Sequence, residues 1–318
     1  MTFIASVIAK EGIAIVADSF RTTVHHSLDE DKFLEFIDKA VDKVNIPIAD
    51  LVGLFEEKAS HTRNFVDKLI QFDDDSAVCT AGAAYINGKE TKDVIKTVAV
   101  EMQVNKGVYD AMTIEEKLTE ISSKIEKEIV EQLATYNVGA TDFIFSHFNR
   151  AKNEPQVFVI KIKKTDKGAF NKDKPELVSW DDRTNLGIIT DGQDTFVDRL
   201  IFGSLYTNMG NVKRGIIEYI VTKFNLEGED TDNLIKEVTH QDFIRPIITQ
   251  DIFNIKFREL SLQEAVDLAT LLIKIEMDIQ IYTEKIPTVG GLIRLAVISK
   301  DKGFQWISGD KIINPKLL

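Results

Sequence analysis

Apolar and polar positions along this chain change period several times, and each change marks a boundary between element types. Residues 2–9 (TFIASVIA) and 12–18 (GIAIVAD) are short, β-branched apolar runs separated by Lys10-Glu11-Gly12, which predicts a strand, a tight turn and a strand. From Leu28 to about Arg63 the period lengthens. Phe33, Phe36, Ile37, Ala40, Val41 and Val44 recur at helical spacing, and Leu51, Leu54 and Phe55 after Pro47 predict a second short helix, so the segment 28–63 reads as a helical insertion. Strand-like runs return at 65–72 and 76–81, and Gly82 punctuates a turn into a helix expected at about 83–103.

Thr113-Ile114-Glu115-Glu116 has the capping-box pattern, and Ile114, Leu118, Ile121, Ile125 and Ile129 behind it form one apolar stripe, a core face rather than an interaction surface. Strands are expected at 141–148, at 155–163, where Val157, Val159, Lys161 and Lys163 alternate with Phe158, Ile160 and Ile162, and at 186–190. Helical patterns occupy about 195–240. Ser261-Leu262-Gln263-Glu264 caps a long helix running to about Tyr282, and strands at 291–298 and about 304–307 close the chain. Strands and helices fall into runs instead of alternating. That order predicts an α+β fold of packed antiparallel sheets flanked by helices, not a doubly wound parallel sheet. With no repeat and no long Gly/Pro-rich linker, residues 1–318 read as one elaborated domain.

Composition narrows the partners. The net charge of −12 comes without any Lys/Arg block, so nucleic acid is not an expected partner. Cys79 is the only cysteine, which excludes an internal disulfide and a cysteine-based zinc site and suits a reducing compartment. The N-terminus lacks the charge and apolar pattern of a signal peptide, and no run has the length of a membrane span; the expectation is a soluble, cytoplasmic protein. No cofactor is expected. The stretch from Gly82 to Glu90 has the wrong spacing for a P-loop, and His25-His26 has no third metal ligand at a recognisable spacing and reads as a solvated loop pair. Asp73-Asp74-Asp75 and Asp29-Glu30-Asp31 lack the glycine and terminal glutamate of a calcium loop and read as a turn and a helix start.

The segment TFIASVIAKEGIAIVADSFRTT resembles the opening of proteasome β subunits and of the bacterial HslV-type peptidase. In that family a threonine freed at the N-terminus begins the first strand. The resemblance places Thr2 as the nucleophile once Met1 is removed, Asp18 as the aspartate ending the second strand, and Thr22 as the residue whose backbone pairs with bound peptide. Lys68-Leu69-Ile70 followed by residues 76–84 (SAVCTAGAA) matches the family's lysine strand and glycine turn, with the insertion standing between Asp18 and Lys68. Residues 261–269 (SLQEAVDLA) and 290–298 (GGLIRLAVI) resemble its late helix and the strand after it, while about 28–63 and 205–255 remain mostly unmatched elaborations. Active members place a serine in a G-S-G turn and an aspartate and serine before the Gly-Gly pair. Here those places read Thr190-Asp191-Gly192-Gln193-Asp194 and Lys285-Ile286-Pro287-Thr288-Val289, making Asp191, Gln193 and Thr288 the possible substitutes.

The chemistry explains the grouping. A threonine hydroxyl needs a base to take its proton, and a freed α-amine, with an ordinary pKa of about 7.7–8.0, can be that base. A nearby Lys68 ammonium disfavours protonation of the amine, and Asp18 orients the lysine. The N–H of Gly82, expected at a helix N-terminus, is the oxyanion donor, a contribution of about 3–4 kcal/mol in comparable sites. Thr80 and Ala84 flank the substrate side chain. The resemblance further implies a four-layer αββα sandwich, threonine-type cleavage of peptide or unfolded protein, assembly into homo-oligomeric rings or related arrays, and an ATP-dependent unfoldase as partner. Two alternatives stand beside it: an inactive scaffold or assembly subunit, and an amidase acting on a non-peptide amide.

Overall fold

The first hairpin forms as its pattern dictates. In the computed structural model, which describes residues 2–28, 30–39, 54–63, 66–133, 140–163, 177–207, 209–240, 255–283 and 286–308, β1 (Phe3–Ala9) and β2 (Gly12–Ala17) pair antiparallel and are buried throughout. Strands covered on both faces read as continuous apolar runs, which is why these lack alternation. Gly12 lets two strands approach: a Cβ there would lie 2.1 Å from the Ile298 carbonyl oxygen.

The insertion is only partly helical. β3 (Arg21–Leu28) leads into α1 (Glu30–Lys39), but β4 (Phe55–Arg63) is a strand that pairs back on β3, from Arg21 opposite Arg63 to Leu28 opposite Phe55. Phe55 therefore begins a strand instead of lying in a second helix, and His25 and His26 lie on β3 instead of in a loop. The helical positions expected at Ala40, Val41, Val44 and Leu51 lie outside the described residues.

β5 (Leu69–Asp73) and β6 (Ser76–Gly82) follow, and then a second departure. The helix expected from 83 starts at Thr91: β7 (Tyr85–Ile86) and β8 (Lys89–Glu90) form a small hairpin before α2 (Thr91–Gln103). Asn87 and Gly88 turn it with φ of 49° and 70°, the positive angles for which an Asn-Gly pair is suited. Next come α3 (Lys106–Ala111) and α4 (Ile114–Leu133). The capping box of α4 is closed both ways, Thr113 N–H to Glu116 at 2.8 Å and Glu116 N–H to the Thr113 hydroxyl at 3.2 Å. β9 (Thr141–Asn149), β10 (Glu154–Ile162), β11 (Val178–Asp182) and β12 (Ile188–Gly192) form the middle of the chain, β11 being a strand that the pattern did not announce. Then come α5 (Thr195–Thr207), α6 (Met209–Phe224), α7 (Glu229–His240), α8 (Leu262–Thr283), β13 (Arg294–Ser299) and β14 (Gly303–Ser308). Ser261 N–H to Glu264 at 2.7 Å closes the cap of α8.

The class is α+β with two antiparallel five-stranded sheets, ordered β12-β1-β2-β13-β14 and β11-β10-β9-β6-β5, besides the β3-β4 and β7-β8 pairs. Three apolar clusters tie the elements together. One lies between the sheets, with Ile4, Ile8, Ile13 and Ile15 of the first against Cys79, Ile144, Val157 and Val159 of the second. In another, Val94, Ile95 and Val98 of α2 and the isoleucine stripe of α4 cover Phe143, Phe145, Phe158 and Ile160. In the third, Ala265, Ala269, Leu272 and Ile273 of α8 cover Phe3, Ala5, Val7 and Val16. Leu118, Ile121, Ile125 and Ile129 are fully buried, each such side chain stabilising by about 1.5–3 kcal/mol relative to exposure. Among the described residues no helix is long and apolar enough to cross a membrane.

Candidate active site

Asp18 follows directly on β2, and its side chain is fully buried. Four donors converge on it. Oδ1 accepts the backbone N–H of Phe3 at 2.9 Å and the ammonium of Lys68 at 2.7 Å. Oδ2 accepts the N–H groups of Phe20 at 3.1 Å and Gly290 at 3.2 Å. Burial pushes the Asp18 carboxyl above its ordinary range, while Lys68 and the backbone donors pull it back. Lys68, buried just ahead of β5, is lowered from the ordinary lysine value by the same loss of water, with Asp18 opposing. The Lys68 carbonyl accepts the N–H of Thr80 at 2.9 Å, which fixes the lysine to β6.

Thr2 stands at the head of β1, which lies between β12 and β2 in the first sheet, and it is buried. Its carbonyl accepts the N–H of Gln193 at 2.5 Å. Gly192, paired opposite Phe3 with φ of 95°, permits that contact, because a Cβ there would lie 2.0 Å from the Thr2 carbonyl oxygen. Thr2, Thr22, Lys68, Thr80, Gly82 and Ala84 all line one cavity of about 110 Å³. Six of the seven residues singled out from sequence thus share a cavity, and the seventh, Asp18, is bonded to Lys68.

Gly82 ends β6 with φ of 105°, and a Cβ there would lie 2.4 Å from the Ala140 carbonyl oxygen. It is not at a helix N-terminus, since the β7-β8 hairpin intervenes before α2; any oxyanion role falls to the turn itself. That turn is pinned. Ala83 N–H donates to the Thr141 hydroxyl at 3.1 Å, the Thr91 hydroxyl donates to the Ala83 carbonyl at 2.7 Å, and Thr91 N–H donates to the Ala84 carbonyl at 3.0 Å.

Sequence reasoning missed the charged part of the wall. Arg21, Asp67, Glu90 and Lys92 also line the cavity. Lys92 pairs with Glu90 at 3.1 Å, and Arg294 with Asp67 at 3.2 Å. Arg21 donates to the Tyr85 hydroxyl at 2.8 Å while its guanidinium lies 4.6 Å from the ring centroid. It also missed Gln280, which bonds to Gln193 and to the 288–289 backbone; a signal existed, because Glu276 and Gln280 continue the buried face of α8 as polar residues.

Of the three possible substitutes in the supporting shell, Gln193 and Thr288 come together, the Thr288 hydroxyl donating to Gln193 Oε1. Asp191 does not join them. Its carboxylate accepts the N–H of Gly192 at 2.5 Å, and burial together with the adjacent Asp142 pushes it up to about 7. Among the described residues no group of three or more histidine, cysteine, aspartate or glutamate side chains is arranged to hold a metal ion. No protein-family model matches this chain, and no curated protein matches it.

Proposed function

We propose that this chain is an N-terminal nucleophile hydrolase of proteasome β type, a threonine peptidase in which Thr2, freed by removal of Met1, attacks a peptide bond. The observation that carries the reading is the meeting of Thr2, Lys68 and Gly82 at one cavity, with Lys68 bonded to a buried Asp18 that also holds the Phe3 backbone. Two antiparallel sheets facing each other, with helices packed against each, support the four-layer αββα arrangement of that family.

In this reading the α-amine of Thr2 takes the hydroxyl proton as Oγ1 bonds to the substrate carbonyl carbon. Lys68 keeps the amine unprotonated beforehand, and Asp18 keeps Lys68 in place. Negative charge collects on the carbonyl oxygen, toward the Gly82 N–H. Collapse expels the leaving amine, which takes the proton from the α-ammonium, and an ester remains on Thr2. A water deprotonated by the same amine cleaves the ester and restores the hydroxyl. The Thr22 backbone aligns the peptide, and Thr80 and Ala84 border its side chain. A homo-oligomeric ring or array and an ATP-dependent unfoldase complete the proposal, since a buried nucleophile of this type acts on unfolded chain.

One observation favours a second reading. Gln193 stands in the turn where active family members hold a serine, and the stretch before Gly290 lacks their aspartate and serine, so a scaffold that kept the fold and lost the chemistry is the competitor. Turnover of a fluorogenic peptide panel, run beside small acyl amides, separates the readings. The peptidase account expects hydrolysis of peptides that Thr2→Ala abolishes. Activity confined to small amides would move the assignment to an amidase, and absence of Thr2-dependent turnover would leave the scaffold.

A further inference from the structure

Helix α8 carries two polar side chains on the face it otherwise packs against the first sheet. Ala265, Ala269, Leu272 and Ile273 fill that face with apolar surface, yet Glu276, 1% exposed, and Gln280, 2% exposed, continue it one turn apart. Buried polar groups are costly unless they are hydrogen-bonded. These two are bonded to two separate loops. Glu276 Oε2 accepts the N–H groups of Phe196 and Val197 at 3.3 Å each, donors in the first turn of α5 that have no partner within their own helix. Gln280 Oε1 accepts the N–H groups of Thr288 and Val289 at 2.9 Å each, and its Nε2 donates to Gln193 Oε1 at 2.8 Å. The Thr288 hydroxyl donates to the same oxygen of Gln193.

Both loops end on the candidate site. The Gln193 N–H holds the Thr2 carbonyl at 2.5 Å. On the other side Gly290 N–H reaches Asp18 Oδ2 at 3.2 Å, and the Gly290 carbonyl accepts the N–H groups of Ser19 and Phe20 at 3.1 Å each. Ser19 Oγ accepts the Leu292 N–H at 2.7 Å. We infer that Gln280, assisted by Glu276, is a positioning residue: one turn of α8 sets the β12-α5 loop against Thr2 and the 288–290 segment against Asp18, and so fixes the nucleophile relative to Lys68. Its catalytic meaning rests on the reading of Thr2 as nucleophile; its mechanical part rests on the hydrogen bonds alone. A residue that merely filled space at position 280 would be replaceable by an apolar side chain of similar volume.

Gln280→Leu keeps the volume and removes all of these bonds, whereas Gln280→Glu keeps the acceptors for Thr288 and Val289 and removes the donor to Gln193. Residue-resolved amide hydrogen exchange and the rate of Thr2 labelling by a peptide epoxyketone, followed against pH, read the two parts. In both variants the Gln193 amide is expected to exchange at least about fivefold faster, the equivalent of one net hydrogen bond, with β9 protected as before. Thr288 and Val289 lose protection in Gln280→Leu and keep it in Gln280→Glu. Labelling of Thr2 slows in both, and its pH dependence shifts, which general loosening of the fold does not produce. Unchanged exchange at Gln193 in Gln280→Leu overturns the inference. Should that variant fail to fold, Gln193→Ala removes the shared acceptor, and the residue-193 amide must show the same gain. A parent protein never labelled at Thr2, whose Gln193 amide still responds to Gln280→Leu, keeps the clamp and removes the peptidase reading.

Discussion

Lys68 Nζ lies 2.7 Å from Asp18 Oδ1, with the two side chains 6% and 0% exposed. An ion pair shielded to this extent has lost most of its hydration, so its members depend on each other far more than a surface pair would. Removing one partner leaves a buried charge. Lys68→Met or Asp18→Asn is expected to cost about 3–5 kcal/mol in urea unfolding and to abolish Thr2 reactivity. The double change of Asp18→Asn with Lys68→Met, which keeps an acceptor for the backbone donors on Asp18, is expected to cost less than the sum of the two single changes and to restore none of the reactivity; strictly additive losses would contradict the coupling.

Gly192 offers a sharper structural test. Its φ of 95° and the 2.0 Å approach of a would-be Cβ to the Thr2 carbonyl oxygen leave no room for alanine. Gly192→Ala is expected to cost about 3 kcal/mol or more and to lower labelling of Thr2. Gly88→Ala is the control: φ there is 70° but nothing lies within 4 Å, so the expected cost is the strain alone, about 1–2 kcal/mol. Equal thermal shifts for the two would show that Gly192 is not held against Thr2.

Asp191 predicts a pH dependence whose sign is fixed by its environment. Burial and Asp142 raise its carboxyl from 3.8 to about 7 in the folded protein. Between about pH 4 and pH 7 the folded state therefore keeps a proton that the unfolded state releases, and this contribution to stability is present at low pH and lost as pH rises through the folded value. Asp142 lies beside the Asp191 carboxyl, and the placement of this pair is what the measurement reads. Asp191→Asn cannot ionise, so its melting temperature relative to the parent should rise between pH 5 and pH 8, by about 2 °C or more. A difference that stays flat across that range would contradict the placement of the pair.

Ile125→Ala separates the core from the chemistry. The side chain is fully buried between α4 and the second sheet and does not line the cavity. The expected loss is about 2–5 kcal/mol of stability, with labelling of Thr2 unchanged below the unfolding transition.

What could be read from the sequence follows from where the physical signal lies. The β1-β2 hairpin, the stripe from Ile114 to Ile129 and the two capping boxes at Thr113 and Ser261 are local patterns, and each formed as expected. Thr2, Lys68, Gly82 and Asp18 were legible as a group through a family resemblance, and the fold brings them together across long stretches of chain. β4 is not legible in the sequence because its residues have no strand alternation; its conformation comes from pairing with β3, which includes a register shift between Thr23 and Val24. β11 is a short edge strand that pairs with β10 alone. The β7-β8 hairpin carries a usable signal in Asn87-Gly88, masked by the helical period that follows it. Gln280 was visible as a polar residue on an apolar face, but its partners, Gln193 and Thr288, are set by tertiary contacts that periodicity does not encode.

The central claim, that Thr2 is an N-terminal nucleophile, is tested most directly by intact-mass and peptide mass spectrometry of the protein after incubation with a peptide epoxyketone, a probe that needs both the hydroxyl and the free amine. The account predicts a chain that begins at Thr2 and carries one adduct on that residue, absent from Thr2→Ala. A chain that keeps Met1 throughout, or one that begins at Thr2 and stays unmodified, would contradict it.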